Sequence, residues 1–140
     1  MAQEAEEFSA YREKLDFQTY IVRQLILIGG LSSKIFESSR ANVWQKNALN
    51  YYFSVSSLFA AISPYFDDTV IDQRVTIEKA AQDKYRKREE DRKQSKLTKK
   101  SKYDDVKDTV EVSNRLLTLI MQSLKDKGLL LQEETYIDQM

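Results

Sequence analysis

Three glycines and one proline in 140 residues leave this chain few means of making tight turns. Turns draw on those residues for the backbone angles that other side chains resist. A chain so short of them has few reversals and long elements between them. Long helices satisfy that condition, and a sheet of many hairpins does not.

The spacing of apolar residues agrees. Over residues 4–38, Phe8, Tyr11, Leu15, Val22 and Ile26 recur at three-, four- and seven-residue steps. Phe17, Ile21, Leu25 and Ile28 form a second stripe beside the first. A helix with two apolar stripes buries more than one side. Gly29-Gly30 falls inside it and predicts a kink or short break, since each glycine costs about 1 kcal/mol against alanine. A second helix is expected over residues 41–63, ending at Ser63-Pro64, because the residue before proline resists the α region. Trp44, Ala48, Tyr51, Tyr52, Val55, Leu58, Phe59 and Ile62 make it the expected central core helix.

Asp67-Asp68 supplies N-cap candidates for a third helix, with a thin apolar stripe through Val70, Ile77, Ala81 and Tyr85. Tyr103-Asp104-Asp105 marks the start of a fourth, with Val106, Val110, Leu116, Leu117, Ile120 and Leu124 on its apolar side. Gly128 suits the position after its last turn. The expected fold is therefore all-α: a single domain over residues 1–140, a bundle of about four principal helices arranged as two helical hairpins joined by a basic exposed segment.

That segment comes from the charge pattern. The chain is neutral overall, yet residues 84–102 hold ten basic and three acidic residues, and the flanking regions are acidic. Leu97 is the only apolar residue over positions 86–102, so this stretch reads as an exposed charged helix extension or linker. Lys84, Arg86, Lys87, Arg88, Arg92, Lys93, Lys96, Lys99, Lys100 and Lys102 are candidates for binding nucleic acid. In a helix, Arg88, Arg92, Lys96 and Lys100 would form one stripe able to track phosphates. The competing reading is a solvated connector matched by its acidic neighbours, and charge runs are usually that.

The chemistry available is narrow. The chain has no cysteine and no histidine. Thiolate chemistry, disulfides, most zinc sites and the commonest general base are thereby excluded. The carboxylate pairs sit outside any calcium-loop spacing, and two of them stand at expected helix starts, where capping accounts for them. No phosphate-binding, dinucleotide or nucleophile motif is present. No enzyme activity, metal or cofactor is expected. Residues 1–7 are polar and acidic, unlike a secretory signal, and the longest apolar run, residues 25–31, is far short of the roughly 20 residues that span a bilayer. A cytoplasmic chain without a membrane segment is the expectation.

What remains is surface. Adjacent Tyr51, Tyr52 and Phe53 cannot all face one core, and with Trp44 they are the candidate protein interface. The leading expectation is a non-enzymatic interaction or assembly protein, a small helical subunit or adaptor that self-associates or holds a protein partner. Short cysteine-free helical chains of this sort recur among accessory subunits and phage or viral proteins, a likeness that assigns no residue a role. The alternative is a nucleic-acid-binding accessory protein using residues 84–102.

Overall fold

The computed structural model describes residues 2–94 and 102–129; for residues 2–11, Arg92 and Lys102 it describes the backbone alone. Four helices carry the chain: α1 (Ala2–Ser33), α2 (Ala41–Ile62), α3 (Asp68–Gln94) and α4 (Lys102–Asp126). A single 3-10 turn, Ser63–Tyr65, separates α2 from α3. No strand occurs among the described residues.

The helix ends follow from side-chain chemistry. Pro64 has no N–H to give to the Ala60 carbonyl, and the Ser63 hydroxyl donates to that carbonyl instead, at 2.9 Å. Ser63 itself stays in the α region, at φ −55 and ψ −32, so α2 ends on the missing donor and not on an extended residue before proline. The Asp67 carboxylate accepts from the Val70 N–H at 3.2 Å, the N-cap bond expected of it. At the far end of α4, Gly128 takes φ 67. Its N–H donates to Lys125 O at 3.0 Å, and the Leu129 N–H donates to Leu124 O at 2.9 Å. That pair of bonds is the Schellman arrangement, and Leu129 folds back against the core as it requires.

Gly29-Gly30 does not interrupt α1, which runs on to Ser33. The helical turn before the pair is anchored by buried Ile28, and buried Ile35 follows the helix end, which outweighs the local glycine penalty. Neither glycine has a positive φ.

The helices alternate in direction. α1 and α2 are antiparallel: Lys34 O accepts from the Asn47 amide at one end, and Phe17 meets Tyr65 at 4.5 Å at the other. α2 and α3 are antiparallel through Tyr52–Glu78 and Ser56–Arg74 contacts. α2 and α4 run parallel, with Trp44 beside Tyr103 and Tyr51 bonded to Asn114. Their contact is the most extensive between any two helices. The core lies along that seam, where Val55, Phe59, Leu116, Ile120 and Leu124 are fully buried. α1 covers one side of α2, and α3 lies against α4.

The basic run does not join the two hairpins. The hairpins are linked by residues 63–67, and the run instead falls inside the second one, as the last turns of α3 and its connection to α4. α3 continues helically nine residues past Tyr85, to Gln94. The part of the proposed connector over residues 95–101 lies outside the described residues.

Candidate interaction surface

The two stripes of α1 are separated by the fold. Ile21 and Ile28 are buried, with Phe17 and Leu25 packed against the same core. The other stripe turns away: Leu15 and Ile26 are exposed, Ile26 at 68%, and Val22 is half-buried. Residues 12–16 are exposed without exception. Because Phe17 already sits at the Tyr65 end of the bundle, the first 15 residues of α1 extend past the other described helices. At 1.5 Å per residue this projection is roughly 22 Å long.

The aromatic candidates divide by direction. Tyr51 is core: it is 2% exposed, and its hydroxyl donates to Asn114 Oδ1 at 2.6 Å. Burial raises its pKa above the ordinary tyrosine value, partly offset by a hydrogen bond with Ser32. Tyr52 is half-buried and donates to Glu78 Oε1 at 3.1 Å. Its pKa is raised first by burial, then by the Glu78 charge and hydrogen bond, with Arg74 opposing. Trp44 is half-buried in a cluster with Phe36 and Tyr103, and its indole N–H donates to Ser38 O. Phe53 alone of the four is turned outward, at 59% exposed.

The described basic residues also divide. Arg88 Nη1 reaches Asp108 Oδ2 at 2.8 Å, and Lys84 Nζ lies 3.4 Å from both Asp108 and Glu111. Two of the ten candidate cations are therefore matched by acids on α4, and Arg88 is turned toward the bundle. Arg86, Lys87 and Lys93 are exposed on α3. The side chains of Arg92 and Lys102 are not described, and Lys96, Lys99 and Lys100 lie outside the described residues.

α3 leaves open clefts on both sides of its contact with α4. One, of about 500 Å³, is lined by Leu49, Tyr52, Ala81, Tyr85 and Val112. The other, of about 820 Å³, is lined by Ile77, Val110, Asn114 and Leu119 among others. Neither brings together a nucleophile, a base and an oxyanion donor set. Among the described residues no group of three metal-ligating side chains could hold an ion, and no helix is long and apolar enough to cross a membrane. Charged groups edge both clefts, Glu78, Arg86 and Glu89 on the first and Lys107, Glu111 and Arg115 on the second.

The sequence reading expected α1 to bury more than one side and placed its candidate interface on α2; the fold leaves Leu15 and Ile26 of α1 exposed. No protein-family model matches this chain, and neither does any curated protein or solved structure.

Proposed function

We infer that the chain is a non-enzymatic interaction and assembly protein, a small helical subunit or adaptor of a larger complex. The observation that carries this reading is the outward apolar stripe of α1, centred on Ile26. Exposed apolar residues are ordinary when scattered. Here Leu15, Val22 and Ile26 share one face of a helix that also extends past its own bundle. Phe53, on the exposed side of α2, adds an aromatic of the kind enriched at interfaces.

The test is recovery of the tagged full-length chain from its native cells, with nuclease treatment throughout. A protein retained in fixed stoichiometry, or the chain's own self-association, supports the reading if Ile26→Glu or Phe53→Glu abolishes it while leaving the helical circular dichroism intact. Recovery that requires nucleic acid would move the function to the exposed cations Arg86, Lys87 and Lys93 instead. A chain that stays monomeric and retains nothing would end the assembly reading.

A further inference from the structure

Over residues 71–94 no described side chain of α3 is buried, whereas α4 buries Val106, Leu116, Ile120 and Leu124. The two halves of α3 are held by different means. The first half is anchored. Phe66 just before it and Val70 in its first turn are buried. The Arg74 guanidinium lies over the Phe59 ring at 4.5 Å, and Glu78 accepts from the Tyr52 hydroxyl at 3.1 Å.

Beyond Glu78, α3 stands over open space. The cleft of about 500 Å³ lies between it and α2, with Leu49 and Tyr52 on one wall and Ala81 and Tyr85 on the other. A smaller cavity of about 170 Å³ lies on the α4 side, between Ala80, Ala81 and Lys84 of α3 and Asp108, Glu111 and Val112 of α4. Ala81 is half-buried, and Tyr85, the next apolar residue, is exposed. The ties that follow are ionic: Lys84 to Asp108 and Glu111 at 3.4 Å, and Arg88 to Asp108 at 2.8 Å. Apolar burial, the dominant cohesive term in a fold, thus fades where these charge pairs begin. Partly exposed ion pairs contribute little each and are screened by salt. A segment held this way opens at a lower free energy than the core it lies on.

We propose that residues 79–94 form an arm latched by charge, which opens from the bundle while the first half of α3 and the packed α1, α2 and α4 stay folded. Asp108 is the catch, because it receives both Lys84 and Arg88. Opening uncovers the walls that the arm now shadows, Leu49 and Tyr52 on α2 and Val112 on α4. Access to that surface becomes a function of ionic strength.

Hydrogen exchange of the full-length chain, read by mass spectrometry of peptic fragments, tests this. Amides of residues 80–91 should exchange faster than those of residues 70–78 and 112–124. Raising salt from about 0.1 M to about 1 M shortens the screening length from about 10 Å to about 3 Å. Exchange in the arm should then accelerate roughly two- to tenfold, with the core nearly unchanged. Asp108→Asn should give a similar acceleration at low salt and remove most of the salt response. Lys87→Gln, which removes an exposed charge from the same half of α3, should leave the rates as they are. Simple fraying from Gln94 would instead give a gradient of rates indifferent to salt and to Asp108, and would overturn the proposal. Equal protection of both halves of α3 and of α4 would overturn it too, as would a salt response shared by the whole bundle.

Discussion

Arg88 of α3 and Asp108 of α4 are joined by an ion pair of 2.8 Å, with Lys84 on the other carboxylate oxygen at 3.4 Å. The pair ties the basic end of α3 to the acidic start of α4. It holds the last turns of α3, at the end of that helix's thin apolar stripe, against the bundle. Both partners are only partly exposed, so the pair contributes at the upper end of the surface range. Asp108→Asn should destabilise the chain by about 1 kcal/mol, less at high salt, read as a lower urea midpoint with unchanged slope.

The same pairing bears on the nucleic-acid alternative. With Lys84 and Arg88 engaged, the parent chain should show little affinity for duplex DNA at about 0.15 M salt, measured by fluorescence anisotropy. Strong binding that weakens steeply with salt, and that is lost when Arg88, Arg92, Lys96 and Lys100 become glutamine, would transfer the function to the basic run.

Phe59 joins α2 to the start of α3. It is fully buried, its ring lies 5.4 Å from that of Phe66, and the Arg74 guanidinium sits 4.5 Å above its centroid. Phe59→Ala removes a buried ring and a cation–π contact together. The expected loss is about 3–5 kcal/mol in chemical denaturation, a large share of what a domain of this size commands.

The three glycines should respond in opposite senses. Gly128 holds φ 67 at the end of α4, so Gly128→Ala should cost about 1 kcal/mol. In the monomer, Gly29→Ala and Gly30→Ala should each stabilise by up to about 1 kcal/mol, because α1 gains helix propensity and nothing obstructs the added methyl. Thermal melts at concentrations too low for association would show both signs.

Stability should be nearly flat from about pH 6 to 9, since the chain has no histidine or cysteine side chain to titrate there. Above that, Tyr51 and Tyr52 come into play. Their folded pKa values are raised, so the unfolded chain loses these protons first. Their contribution is full below the unfolded value of about 10 and is lost as pH rises through the folded values. Alkaline unfolding followed by circular dichroism should begin near pH 10, and Tyr51→Phe with Tyr52→Phe should move it upward.

Features carried by local chemistry were legible in the sequence. Asp67 caps α3, Gly128 closes α4, and the three adjacent aromatics divide as a 100° helical step requires, with Tyr51 inward, Tyr52 between and Phe53 outward. Features that depend on distant partners were not. The two stripes of α1 are equally apolar in sequence, and only packing against α2 decides that Ile21 and Ile28 go inward and Ile26 outward. Beyond Tyr85, α3 is tied to α4 through Arg88 and Asp108, twenty residues apart in the chain. The break expected at Gly29-Gly30 failed because neighbouring turns hold the helix through it.

The parallel seam between α2 and α4 also sets an order of events. Tyr51 and Asn114 are 63 positions apart, and the largest contact in the bundle cannot form until both are available. During synthesis, α2 leaves the ribosome well before α4 and waits with the side that Tyr51 shares with α4 uncovered. Closing so wide a loop slows the first productive encounter, whatever the final stability. The nascent chain thus passes through an interval in which its central helix is exposed to other chains, and a partner arriving then would compete with α4 itself.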